Sequence, residues 1–200
     1  MSHNALTLFT TRRSQYALGK NLPIAEAEVD ALIRQAIRLA PSSFNSQSSR
    51  AVILFGAASE TLWKSITKEI LRPLVPAEAF ASTDAKLDSF AAGAGTVLFY
   101  EDQDVIKDLQ QKYPLYADNF PIFSEHSAGM AQFAVWTALA EAGIGASLQH
   151  YAPLIDAKVA STWDVPASWK LRAQLPFGSN QKPFNEKSFI ADDIRFKTVR

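Results

Sequence analysis

The sequence contains no cysteine among its 200 residues. Disulfides, thiolate nucleophiles, zinc fingers and iron–sulfur clusters are therefore excluded as features that this chain could build alone. Any redox activity would have to come from a bound cofactor. The chain also has only three histidines, His3, His126 and His150, and because their spacing suits no metal site we predict that it holds no metal.

An excess of charge of either sign is also absent. Lysine and arginine number 20, as do aspartate and glutamate, so the formal net charge is zero. This balance argues against a dedicated nucleic-acid binder, whose phosphate contacts leave a basic excess. No apolar run approaches the roughly 18 residues that span a bilayer, and Met1 is not followed by a signal-peptide pattern. We therefore expect a cytoplasmic protein with no membrane or nucleic-acid partner.

Nucleotide-binding and hydrolase motifs are missing as well. Gly93-Ala94-Gly95 and Gly143-Ile144-Gly145 each have the pattern GxG, but neither has a third glycine at the right offset. There is no Walker A motif and no GxSxG nucleophile motif. A Rossmann domain, a P-loop and an α/β-hydrolase site are thus not indicated.

Hydrophobic periodicity predicts a mixture of helices and strands. The predicted helices are 5–11, 26–40, 60–71, 86–94, 102–112 and 124–142, and the predicted strands are 50–56, 96–100, 146–149 and 171–177. Residues 1–200 are interpreted as one α+β domain, since no repeat or linker interrupts them. The helix 124–142 is apolar on nearly all sides, which places it in the centre of the molecule or at a subunit interface.

Two polar segments are candidate binding sites. Arg12-Arg13-Ser14 places two guanidinium groups beside a hydroxyl, as a phosphate requires, although an isolated RRS is more often a solvated turn. Ser42-Ser43-Phe44-Asn45-Ser46-Gln47 lies between an apolar helix and a buried strand. Its polar groups therefore need partners, which a ligand could supply, although an ordinary turn fits as well.

Three further features allow either a structural or a functional role. Phe120 and Phe123 could line a flat hydrophobic slot, but plain core packing is the more common role for such residues. His150 ends a predicted strand, where sites are often built. The tail 179–200 carries scattered large apolar groups, and it either packs as an edge or extends onto a partner subunit.

Six segments in order along the chain resemble the nitroreductase family, which binds FMN. They are TRRS, APSSFNSQS, KLDSF, GTVLFYED, LAEAGIGASLQHY and LPFG. The chain is especially similar to the compact subgroup related to the fatty-acid-repression type. Each motif alone has modest specificity, whereas the ordered set is distinctive.

The resemblance implies an α+β fold with a central, mostly antiparallel sheet flanked by helices. It also implies a homodimer that binds two FMN molecules at the subunit interface, with the C-terminal tail extending onto the partner. The implied activity is that of an oxidoreductase. NADH or NADPH would give hydride to flavin N5, and a nitroaromatic or quinone would then take its place in a ping-pong cycle. No side chain acts as a catalyst in such a cycle, because the flavin carries the chemistry.

The resemblance also assigns the cofactor-binding residues. Arg12 and Ser14, with Arg13 beside them, match the phosphate-binding positions, and Lys187 matches a basic position that returns to the phosphate. Residues of one loop match the segment that reaches the flavin from the partner subunit: Ser42, Ser43, Phe44 and Asn45, with Gln47 in the same loop. A segment after the long helix matches the one that passes flavin N5: Leu148, Gln149, His150 and Tyr151.

Three positions depart from the family pattern. Tyr16 stands where many members have a lysine or arginine, so the charge near the flavin N1 would either come from Arg13 or Lys86 or be weaker. His150 replaces a glutamate that is common near N5. The loop continues as Gln47-Ser48-Ser49 rather than with the frequent QPW. These departures affect the expected redox potential and range of acceptors rather than flavin binding.

Three other functions stay open from the sequence. One is an FMN-binding regulatory or stress-signalling protein with only incidental turnover. Another is a different flavin chemistry, such as dehalogenation or flavin fragmentation, for which the extra recognition segments are not found in this chain. The last is an interaction protein without a cofactor.

Overall fold

The computed structural model describes residues 4–200, so His3 lies outside the described residues, as do Met1 and Ser2. Its centre is an antiparallel sheet with the order β1–β5–β3–β2, in which β4 also pairs with β5. The strands are β1 (Leu18–Gly19), β2 (Ser49–Phe55), β3 (Gly95–Asp102), β4 (Ile144–Ala146) and β5 (Trp169–Asn180). The prediction of a mostly antiparallel sheet is confirmed, and Ser14 adds an isolated parallel bridge to Ala146.

Helices cover both faces of this sheet. They are α1 (Asn4–Thr11), α2 (Glu26–Leu39), α3 (Gly56–Glu60), α4 (Lys68–Leu71), α5 (Ala77–Ala91), α6 (Gln103–Lys112), α7 (Phe120–Glu141), α8 (Asp156–Trp163) and α9 (Asp192–Arg195). No described helix combines the length and the hydrophobicity needed to cross a membrane.

The burial of both faces of β3 explains why its sequence is a continuous apolar run. Leu98 and Tyr100 point into a core that includes Trp63 and Phe90. Val97 and Phe99, which alternate with them, point into a second core on the other face, built with α2 and α7. A strand buried on both faces needs apolar residues at every position rather than at alternate ones.

Most predicted elements are found with small shifts, and three differ more. The predicted strand 146–149 is found as β4 at Ile144–Ala146, and beyond it Gln149 forms an isolated bridge to Gln174, so His150 follows a loop rather than a strand. Helix α5 begins at Ala77 rather than residue 86, because Pro76 starts it and its first turns are exposed and carry little apolar periodicity. Helix α7 begins at Phe120 rather than residue 124, with Pro121 in its first turn, where proline needs no backbone partner. Helix α8 was not predicted.

The helical region from α3 to α4 is continuous but changes its pitch. Residues Thr61–Thr67 are π-helical, and this segment buries Trp63 against β3. The indole Nε1 of Trp63 donates to Thr96 Oγ1 at 2.8 Å, and Ser59 Oγ lies 2.8 Å from the same oxygen. These bonds satisfy polar groups that would otherwise be costly to bury.

Gly178 marks the closest approach of backbones in the sheet. A Cβ at this position would lie 2.2 Å from the carbonyl oxygen of Gly19 and 3.0 Å from the nitrogen of Ala94. Only a residue without a side chain allows β1, β5 and the start of β3 to meet there.

We expect Gly178→Ala to lower the free energy of unfolding by on the order of 1–3 kcal/mol, since backbone atoms must move to admit the methyl group. The matched control is Gly129→Ala in α7, where a Cβ meets nothing within 4 Å and alanine should add up to about 1 kcal/mol of helix stability. Urea unfolding at one protein concentration measures both. Equal effects of the two substitutions would contradict this account of Gly178.

Candidate functional site

The Arg12-Arg13-Ser14 segment is held beside β4 by the backbone. The amide of Gln15 donates to the carbonyl of Ala146 at 2.9 Å, next to the bridge between Ser14 and Ala146. The segment that ends α1 is therefore fixed next to the strand that leads into residues 147–151. The segment 12–14 and the segment 148–151, both predicted from the sequence to bind the cofactor, are thus neighbours within one chain.

Arg12 is a partly buried cation with an unused donor. Its guanidinium lies 4.3 Å from the ring centre of Trp136, and its buried Nε has no hydrogen-bond partner among residues 4–200. Burial, followed by the nearby charge of Arg13, lowers the pKa of Arg12. A partly buried guanidinium with a free donor is suited to an anionic ligand, which would supply both the countercharge and the missing hydrogen bond.

The C-terminal tail closes over this segment. The amide of Gln181 donates to the carbonyl of Ala17 at 3.0 Å, and Gln15 Nε2 donates to the carbonyl of Lys182 at 2.7 Å. Arg13 donates through Nη2 to the carbonyl of Asn185. Sequence analysis did not identify Gln15, because nothing in its neighbourhood indicates that its side chain holds the tail.

Two cavities lie between this segment and the tail. Ser14, Tyr16 and Ser89 line one of about 310 Å³. Arg13 and Lys187 line another of about 690 Å³, so these two predicted phosphate ligands face the same space. Lys86 is exposed on α5, and its carbonyl accepts from Ser89 Oγ at 2.7 Å, which places it one turn from the first cavity.

The segment from Leu148 to Tyr151 is less open than the sequence suggests. Gln149 is buried, with its Nε2 3.1 Å from Ser147 Oγ, and Leu148 packs against the core. The Tyr151 ring lies 5.7 Å from that of Trp63, and burial raises the pKa of Tyr151. The side chains of Gln149 and Tyr151 are therefore held by contacts within the protein, and within this segment only His150 is exposed.

The loop at 42–47 has a strained backbone. Phe44, Asn45 and Gln47 have φ angles of 58°, 50° and 48°, which lie in the left-handed region although none of the three is glycine. Such residues cost on the order of 1 kcal/mol or more each and cluster at functional sites. Ser42 Oγ accepts from the amide of Gln47 at 2.9 Å, and the amide of Ser43 donates to Ser127 Oγ at 3.2 Å.

The aromatic residues near this loop differ from those expected. Phe120 is only 2% exposed and lies under Phe44, with ring centres 5.2 Å apart, so it does not line an open slot. Phe123 packs edge-on against Phe120. The exposed aromatic surface consists instead of Phe44, 51% exposed, and Tyr116, 44% exposed. Sequence analysis did not identify Tyr116, because its contact with Phe44 depends on the loop conformation.

A buried carboxylate that sequence analysis missed lies below the same loop. Glu101 is fully buried at the end of β3, and three serine hydroxyls donate to it: Ser48, Ser49 and Ser124. It forms no salt bridge with any residue from 4 to 200. The available sequence signal was the pair of charged residues, Glu101 and Asp102, at the end of an apolar strand.

The segment 12–14 and the loop at 42–47 both contact α7, but at different places. Ser127 contacts the loop at Ser43, and Trp136 lies against Arg12. Nine residues of α-helix correspond to about 13 Å and to two and a half turns, which places the two positions on nearly opposite sides. Within one chain, the structure does not bring the two groups together.

The described residues offer no candidate metal site. Across residues 4–200, no cluster of three or more histidine, aspartate or glutamate side chains could hold an ion. His126 and His150 are both exposed.

Comparison with known proteins identifies relatives over most of the chain. A profile described as the nitroreductase family matches residues 9–179. HBN1 of Saccharomyces cerevisiae is 37% identical over 191 residues, which is 94% of this chain and 94% of that protein.

Solved structures agree with this match. Nitroreductase CinD from Lactococcus lactis, in complex with 4-nitrophenol, is 47% identical with a TM-score of 0.89, over 98% of this chain and 100% of that one. A more distant structure from Desulfovibrio desulfuricans, in complex with FMN, is 14% identical with a TM-score of 0.73, over 100% of this chain and 99% of that one, and at this identity it shows the fold alone. On the profile match and the identity to HBN1, this chain belongs to the nitroreductase family.

Proposed function

We propose that this protein is an FMN-dependent oxidoreductase that uses NADH or NADPH to reduce nitroaromatics or quinones. The observation that carries the proposal is Arg12, a partly buried cation whose Nε has no hydrogen-bond partner among residues 4–200 and which stands two residues before the hydroxyl of Ser14. Such a donor set is suited to a phosphate ester. Family membership makes FMN the phosphate ester to test first.

In this proposal the chain binds and orients the cofactor. Arg12 and Ser14 hold the phosphate, and Arg13 and Lys187 add positive charge from the cavity that they share. His150, the exposed residue of the segment 148–151, would be the side chain available to the flavin ring, and Leu148 and Gln149 would hold the backbone of that segment. FMN, when bound, would supply the hydride chemistry that no side chain of this cysteine-free sequence can perform.

Aromatic side chains near the loop at 42–47 would receive the electron acceptor. Phe44 and Tyr116 present an exposed aromatic surface with ring centres 6.2 Å apart. Flat aromatic acceptors stack favourably on such surfaces. The complex of CinD with 4-nitrophenol supports nitroaromatics as the first acceptors to test.

The proposed site requires a homodimer, because one chain holds its two groups of residues apart on α7. An apolar groove between α1, α2 and α7 is available for such an interface. Phe9, Leu39 and Phe133 line it, in a space of about 370 Å³. The exposed apolar residues of the tail, Phe189 and Ile194 among them, favour a tail that extends onto the partner.

The absorption spectrum of the purified protein tests the proposed function. We expect flavin bands that bleach when NADH or NADPH is added without oxygen and return when a nitroaromatic is added. Steady-state rates should show the parallel-line pattern of a ping-pong mechanism. Bands that persist with both nucleotides would indicate a binding or regulatory protein, and a protein that takes up no FMN would contradict the proposal.

Arg12 is expected to dominate phosphate binding. Loss of a charge-assisted hydrogen bond costs about 1.5–3 kcal/mol, so Arg12→Ala should raise the dissociation constant for FMN at least tenfold. Arg34→Ala serves as the control, since Arg34 is exposed on α2 and pairs only with Asp30. Titration followed by flavin fluorescence measures both constants. An Arg12→Ala protein that binds FMN as tightly as the wild type would rule out this assignment.

The groove is expected to be the dimer interface. Leu39 is 72% exposed in the isolated chain, and Leu39→Glu should bury a charge in the dimer and shift the protein to monomers. Leu74→Glu is the matched control, because Leu74 is 59% exposed and lies outside the groove. Light scattering gives the masses. The FMN content should fall when dimerisation is lost. If both variants remain dimers, the interface lies elsewhere.

A further inference from the structure

Glu101 is the most unusual buried group outside the cofactor-binding residues. Its side chain is 0% exposed, and it accepts hydrogen bonds at 2.5 Å from Ser48, 2.5 Å from Ser49 and 2.7 Å from Ser124. Ser49 begins β2 and Ser48 directly precedes it, whereas Ser124 lies in α7. A single carboxylate therefore connects the sheet, the long helix and the end of the loop at 42–47.

The direction of these bonds follows from the number of protons. A serine hydroxyl has one proton to donate. Ser48 donates its proton to Glu101 Oε2, so in its contact with Ser46 Oγ, at 3.3 Å, Ser48 can only accept. Ser46 is therefore the donor, and the chain runs from Ser46 through Ser48 to Glu101.

This series of hydrogen bonds reaches the loop where its backbone is strained. Ser46 lies between Asn45 and Gln47, both of which have left-handed backbone angles. Strained backbones persist only where the surrounding contacts determine them. From the other side, the loop is held by the contacts of Phe44 and by the bond from Ser43 to Ser127.

We propose that Glu101 is a positioning residue that holds the loop at 42–47, through Ser48 and Ser46, in the conformation that meets FMN of the partner subunit. The inference rests on the proposed function in one respect, namely that this loop contacts FMN. Its structural part, the control of the loop by Glu101, does not depend on any cofactor.

The three serines provide a matched test. Ser48→Ala and Ser49→Ala each remove one hydroxyl from the same carboxylate, but only Ser48 is linked to the loop. We expect Ser48→Ala to accelerate hydrogen exchange of the amides at 43–47 about tenfold, the factor for one hydrogen bond, and to raise the dissociation constant for FMN similarly. Ser49→Ala should change neither.

Substitution of Glu101 separates position from charge. A glutamine can turn its carbonyl toward Ser48 and Ser124 and its amide toward Ser49, which keeps the chain to the loop. We therefore expect Glu101→Gln to retain slow exchange at 43–47, and Glu101→Ala to match Ser48→Ala. If Glu101→Ala does not fold, Glu101→Gln and the two serine variants decide the question.

Each result supports or overturns the inference. Fast exchange in Ser48→Ala with slow exchange in Ser49→Ala supports it, whereas equal exchange in the two variants overturns it. Fast exchange in Glu101→Gln also overturns it, because the charge would then be the requirement. A wild-type protein without FMN affinity would refute the proposed function, and the exchange results would still decide the role of Glu101.

Discussion

The rigidity of α7 is the constraint on which the arrangement of the site depends. This helix of 22 residues contacts the loop at 42–47 through Ser127 and Arg12 through Trp136. Because an α-helix cannot shorten or bend sharply without a break in its hydrogen bonds, the separation of about 13 Å between these two contacts is fixed. Movement of α7 therefore does not shorten the distance between these two contacts within one chain. In the proposed homodimer, a second copy would bring both groups of residues to the same ligand.

Packing against the sheet keeps α7 in place and also determines which side of α7 stays exposed. Val135 and Leu139 are fully buried against the face of β3 that carries Val97 and Phe99. The opposite side of α7, with Phe133, has no such cover and borders the apolar groove. An isolated chain thus leaves apolar surface exposed at the same helix that separates its two groups of candidate residues. Dimerisation would bury that surface and complete the site in one step.

The sequence predicted what depends on local pattern and missed what depends on tertiary contact. Helical periodicity located α2, a continuous apolar run located β3, and the family resemblance assigned Arg13 and Lys187, which line one cavity. Phe120 was placed in a possible slot because nothing in its neighbourhood shows that Phe44 covers it. The left-handed residues could not be predicted, since none of them is glycine and their conformation is imposed by surrounding bonds.

Arg12 and Lys187, two basic residues of the proposed site, differ in what they can contribute to the binding of an anion. Arg12 is held by α7 and partly removed from solvent, so its charge is weakly screened and its position does not depend on the tail. Lys187 is exposed and belongs to the tail, which is tied to the N-terminal segment by Gln15 and Arg13. An anion bound by both groups must therefore also fix the tail in place. By linkage, whatever fixes the tail, including a partner subunit, strengthens the binding of that anion.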